Sequence, residues 1–247
     1  MVKNIRKRKE TGCILWENRS IVCIAIYNRS QNRKTGAMVQ TYIILKNIDP
    51  REAIKNGKDS KICGNCIHRL RWDETLQKWV RTCYVNIGQG VCQVYKAYKK
   101  GNYSHYNPET HDSKFLGKML RIGTYGDPAV LPYEVWEYYL PLFTGHTGYT
   151  HQAKTADPRF ANILMASSDS LADTKFANSI GYRAFVVIPH NENLAKKNDH
   201  NAILCVNSSH QKKCEDCGLC NGNPHDSGKN IFIQAHGPSK RFVMSLN

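Results

Sequence analysis

No stretch of the 247 residues approaches eighteen uninterrupted apolar side chains, so the sequence offers no membrane-spanning helix. The basic opening "MVKNIRKRKETGC" is not followed by an apolar segment, which predicts no secretory leader and a soluble, cytoplasmic protein. There is no GxxxxGK[ST], no HExxH and no GxSxG, so P-loop hydrolase, zinc protease and serine hydrolase chemistry have no anchor. No internal repeat or low-complexity tract is present. Acidic side chains are scarce: 20 Asp plus Glu stand against 35 Lys plus Arg, a formal charge of +15. That excess makes a field that attracts polyanions, so nucleic acid or a nucleotide is an expected partner, although scattered lysine also serves solubility alone. The stretch "KNIRKRK" reads either as a phosphate-binding arm or as a solvated terminus.

Cysteine, by contrast, is abundant, with ten residues. A reducing compartment keeps thiols from pairing, which leaves metal binding or catalysis as the reason for clusters. Cys63, Cys66 and Cys83 form C-x2-C-x16-C within the loop 60–90. The "GN" between the first two permits a tight turn that brings both sulfurs to one metal, and the third closes the site. Three thiolates leave one position open, as a reactive centre does; His68 or another residue would instead complete an ordinary zinc site. Cys205, Cys214, Cys217 and Cys220 form C-x8-C-x2-C-x2-C, a full ligand set for zinc or for an iron–sulfur cluster. Cys13 and Cys23 lie in a hairpin-like segment and are expected to fill core.

Strand-like and helix-like segments alternate. Residues 39–46, 118–128, 146–152, 161–170, 182–189, 201–205 and 230–237 have strand character, and 89–100, 131–143 and 170–181 have helical spacing, the last with Ser170 as cap and Gly181 as stop. This order predicts an α/β protein with parallel strands, and a partial (β/α) barrel is favoured. Residues 1–38 read as a basic arm and small β extension, 39–200 as the barrel core, and 201–247 as a Cys-rich metal-binding segment with a final strand. Gly126 and Asp127, His151 and Gln152, Ser167 to Asp169, and Cys205 all fall at the C-terminal ends of strands, where α/β folds build their sites.

The blocks "CGNC", "RTCYVNIGQG", "RIGTYGDPAVLPYEVW", "GHTGYTHQ", "MASSDS" and "CEDCGLCNG" together resemble the phage and plasmid gene-product-88 family, over residues 36–237. The resemblance implies a phage or mobile-element protein working in a bacterial host cell, without assigning an activity. A looser similarity is to radical S-adenosylmethionine enzymes, partial barrels with three cysteines after the first strand; their usual C-x3-C-x2-C spacing is not present here. That similarity implies a [4Fe-4S] cluster on Cys63, Cys66 and Cys83, and an auxiliary cluster or zinc on Cys205, Cys214, Cys217 and Cys220. It also implies S-adenosylmethionine contacts at Gly126, Asp127, Ser167, Ser168 and Asp169, with Asp127, Tyr149 and His151 as substrate or acid/base groups, His146 and Gln152 facing the same mouth. The competing expectation is a non-enzymatic, zinc-bearing nucleic-acid-binding protein of phage replication or host takeover.

Overall fold

The computed structural model describes residues 10–28, 34–189, 202–223 and 228–235. The basic stretch 3–9 lies outside the described residues, as do the ends of the segments expected at 201–205 and 230–237.

Apolar, β-branched runs form the first strands, β1 (Gly12–Glu17), β2 (Ile21–Ile26) and β3 (Val39–Leu45). Two short helices follow: α1 (Pro50–Lys55), started by Asp49 as cap and Pro50 at its first position, and α2 (Ser60–Cys63). Inside the cysteine loop, β4 (Arg71–Asp73) and β5 (Lys78–Val80) make a separate two-stranded hairpin. The helix expected at 89–100 begins as a wide turn at Ile87–Val91, which Gly88 and Gly90 accommodate, and continues as α3 (Cys92–Lys99). Next come α4 (Pro108–Phe115), β6 (Met119–Tyr125), α5 (Tyr133–Tyr139) and β7 (Gly145–Thr150). The strand expected from residue 161 starts later, because Asp157 and Pro158 set up a short helical turn over Pro158–Asn162; β8 spans Met165–Ser168. Ser170 caps α6 (Leu171–Ser179), its hydroxyl accepting from the Asp173 N–H at 3.0 Å. The chain ends with β9 (Ala184–Ile188), β10 (Ala202–Leu204), α7 (Val206–His210), α8 (Cys214–Cys217) and β11 (Asn230–Gln234).

Nine strands form one sheet in the order β1-β2-β3-β6-β7-β8-β9-β11-β10. β1, β2 and β3 pair antiparallel, and every pair from β3 onward is parallel. The fold is therefore mixed α/β with a large, mostly parallel sheet, and among the described residues it does not close into a barrel. From β3 to β9 the order follows the chain without reversal, unlike a doubly wound sheet, whose order reverses at a switch point. The boundaries expected at 38 and 201 do not interrupt the sheet, since β2 joins β3 and β11 joins β9. Among the described residues no helix is long and apolar enough to cross a membrane.

Alternation along the strands separates two environments. Leu120 and Ile122 of β6 are buried in one core with Trp136 of α5, whereas Arg121 and Gly123 line a cavity on the opposite face; past the bulge at Gly123, Thr124 and Tyr125 both reach that cavity. Cys13 and Cys23 are wholly buried in that core, as expected of space-filling thiols, and burial pushes the Cys13 thiol up to about 12.

At the end of β6 the chain turns through Gly126, whose φ is +79°. A Cβ there would stand 2.8 Å from the Ile43 carbonyl oxygen and 2.7 Å from its Cβ, so β3 excludes any side chain. Gly126→Ala is expected to lose about 2 kcal/mol or more, from the left-handed backbone and the clash with a strand that cannot retreat. A lower denaturant midpoint at unchanged slope checks this.

Candidate metal-binding cavity

A cavity of about 290 Å³ lies against the sheet face carrying Arg121, Tyr125, Thr147, Tyr149, Ser167 and Phe185. All seven cysteines read as ligands line it: Cys63, Cys66 and Cys83, and Cys205, Cys214, Cys217 and Cys220. None is in a disulfide. The loop bearing the first three sits over the C-terminal ends of the strands, where the Ile62 carbonyl accepts from the Asp127 N–H at 2.6 Å and the Cys63 carbonyl from Gln152 Nε2 at 3.1 Å. Gly64, at φ +55°, lets Gln152 reach in: a Cβ there would lie 2.3 Å from the Gln152 side chain. The segment bearing Cys214, Cys217 and Cys220 lies toward the strand beginnings. The Cys214 N–H donates to the Lys34 carbonyl, ahead of β3, at 2.8 Å, and Arg183, just before β9, reaches the Gly222 carbonyl at 2.8 Å. The Gly148 N–H of β7, beside which β8 has not yet begun, donates to the Cys220 carbonyl at 3.0 Å. Along β6, Arg121 faces Cys214 and Tyr125 faces Cys63. Between them β6 bulges at Gly123, φ +69°, so that Arg121 and Tyr125 pair with Gln40 and Tyr42 of β3, two residues apart, and the two levels are separated by about 7 Å.

Asp127 is fully engaged by the protein. Its Oδ1 accepts from Thr150 Oγ1 at 2.8 Å and the Ala129 N–H at 3.0 Å, and its Oδ2 accepts from the His151 N–H at 2.8 Å. Burial pushes its carboxyl up, and these donors pull it back. Gly126, Tyr149, His151 and Ser167 line the cavity with it. Ser168 does not; alternation puts it on the other face, 1 % exposed. Asp169 turns instead to the histidines: His68 Nε2 lies 2.8 Å from Oδ1 and His151 Nε2 3.5 Å from Oδ2. His68 Nδ1 is held by Thr82 Oγ1 at 2.6 Å. Burial opposes the charged forms of both Asp169 and His151. Even so, the two histidines hold the Asp169 carboxyl well below the usual range, and Asp169 and Cys66 hold the His151 imidazolium well above it. His146 lies elsewhere, its Nε2 at 3.0 Å from the Ile163 carbonyl, and burial lowers its proton affinity.

The donor set suits a cation. Burial pushes the Cys63, Cys83, Cys214 and Cys220 thiols up, Cys220 to about 12, and neighbouring sulfurs in each group add to the effect. A bound metal replaces those protons and removes the repulsion. Arg121 adds an independent sign: its guanidinium is buried, donates to the Tyr84 hydroxyl at 3.0 Å, stands over the Tyr149 ring at 5.4 Å from its centroid, and meets no carboxylate among the described residues. A buried cation needs a counter-charge, and Cys214 beside it would supply one as a metal-bound thiolate. Neither cysteine group contains three donors within 4.8 Å of one another; among the described residues His68, His151 and Asp169 do.

No family model, curated protein or solved structure matches the chain. The residues missing from the sequence reading are Arg121, Thr82 and the pairing of Asp169 with two histidines. Arg121 left one signal, a lone cation between Leu120 and Ile122 in an otherwise apolar strand. Asp127→Ala is expected to cost the metal-free protein about 3 kcal/mol by orphaning three buried donors, with Asp127→Asn in between. Denaturation of the chelated proteins reads this; equal stability would leave Asp127 free for a ligand alone.

Proposed function

We propose that the protein is an iron–sulfur enzyme of the radical S-adenosylmethionine type, acting on a nucleotide or nucleic acid in a phage or mobile-element setting. One observation carries the reading: two cysteine groups open from opposite sides onto a single cavity beside a parallel sheet. The unreversed strand order from β3 to β9 is what a partial barrel requires, and the cysteine loop follows the first parallel strand. Cys63, Cys66 and Cys83 would hold the reactive cluster with one open iron; Cys205, Cys214, Cys217 and Cys220 would hold the auxiliary centre. When bound, the cluster and S-adenosylmethionine supply one-electron chemistry. The chain's own part is to shield and orient. Phe185, Val187 and Ile233 make an apolar wall, Ser167 and Gly126 face the space between the cysteine groups, and Tyr149 and His151 stand where a proton donor or acceptor can reach a substrate. Arg121 balances the anionic charge of the second group.

Protein purified without oxygen is expected to be brown, with iron and sulfide that fall in Cys63→Ala/Cys66→Ala, and to cleave S-adenosylmethionine after reduction. Colourless protein carrying stoichiometric zinc after attempted cluster reconstitution would overturn this reading.

The second reading, a zinc-bearing nucleic-acid-binding protein, is favoured by the hairpin in the cysteine loop. Trp72 and Trp79 face each other across β4 and β5, ring centroids 5.9 Å apart, and are 41 % and 64 % exposed. Arg71 and Lys78, at neighbouring exposed positions, project by alternation from the other face of the hairpin and add positive charge there. An exposed aromatic pair forms a stacking platform for unpaired bases, worth about 1–3 kcal/mol per base. Single-stranded oligonucleotide is therefore expected to bind with a steep salt dependence and about tenfold more weakly to Trp79→Ala. Binding indifferent to salt and to this change would remove nucleic acid from both readings.

A further inference from the structure

Beyond the cysteine chemistry, the geometry points to a second metal site: a divalent first-row cation held by His68, His151 and Asp169. The three residues come from different parts of the fold, His68 from the cysteine loop, His151 from the end of β7 and Asp169 from the end of β8. Their donor atoms nonetheless all lie within 4.8 Å of one another. Two imidazoles and one carboxylate bind iron(II), manganese(II) or zinc, and leave coordination positions for water or for a substrate's phosphate or carboxylate oxygens.

Two further features fit a ligand set better than an ion-pair cluster. His68 has its Nδ1 fixed by Thr82 Oγ1 at 2.6 Å, which leaves Nε2 directed at Asp169, the outer-shell arrangement that orients metal-binding histidines. His151 Nε2 is enclosed without a hydrogen bond of good geometry, Asp169 Oδ2 standing 3.5 Å away. A carboxylate meant only to neutralise His151 would close that gap; a cation between them would use it. The main chain is also fixed on both sides of the site. Asp127 holds the His151 N–H at 2.8 Å, and the His68 carbonyl accepts from the Cys83 N–H at 3.0 Å.

The site takes no ligand from the seven cavity thiols, although Cys66 lies against His151, so it is tested separately from the iron–sulfur reading. The test adds manganese(II), a hard ion that thiolates bind poorly, to chelator-washed full-length protein and counts bound ion from the loss of the free-ion magnetic-resonance signal. One equivalent is expected to bind and to be displaced by zinc. Affinity is expected to fall at least tenfold in Asp169→Asn and in His68→Gln, about tenfold in Thr82→Val, and to stay unchanged in Cys63→Ser/Cys83→Ser. Circular dichroism identifies any variant that has not folded, and the two first-named variants back each other. Absence of saturable binding in the wild type, equal affinity in folded Asp169→Asn and His68→Gln, or a loss confined to the cysteine variant would each overturn the assignment. Iron and sulfide, read on the same samples, report the cysteine centres separately.

Discussion

The carboxylate of Asp127 is the fastening on which the cavity depends. It gathers the Thr150 hydroxyl and the N–H groups of Ala129 and His151, while its own N–H reaches back to Ile62, one residue before Cys63. Asp127 thus joins the ends of β6 and β7 through its carboxylate and fastens them, through its backbone N–H, to the helix that presents the first thiol. Hydrogen bonds to a buried charge are stronger than neutral ones, and their donors cannot turn to water if it is lost. The position of His151 relative to Cys66, and through it Asp169 and His68, follows from that one set of bonds.

The parallel sheet explains why so much chemistry meets on one face. Strands that run the same way deliver all their C-terminal ends to one edge, so the cysteine loop, Asp127, His151 and Asp169 arrive together although far apart in sequence. Alternation then divides each strand's side chains between the helix-packed core and the cavity. Arg121 is on the cavity side because Leu120 and Ile122 are on the other. Its buried charge would be costly next to apolar groups alone; the Tyr84 hydroxyl and the Tyr149 ring face it, with Cys214 nearby.

Seen from the cavity mouth, the cysteine loop has two faces. Inward it carries three thiols and His68; outward it raises a hairpin with two exposed tryptophans and two cations. The exposed ring pair and the cysteine-lined cavity thus belong to one loop, in a protein of formal charge +15.

By itself the sequence determined the local elements and the two cysteine groups. The run of β-branched residues in β3, the Ser170 cap, the glycine turn at Gly126 and the two cysteine spacings are short-range patterns, fixed by backbone sterics and by the reach of a few residues. It also placed polar residues at strand ends, since that depends only on where each strand stops. Which of those residues meet was decided by tertiary structure. His68 and Asp169 are 101 positions apart, and no local pattern records their contact. Strand order brought β8 beside β7, sending Asp169 to the histidines and Ser168 to the opposite face, and it laid the last cysteines against the beginnings of strands formed much earlier in the chain. Strand periodicity assigns a side chain to a face, but only the packed sheet decides what that face looks upon.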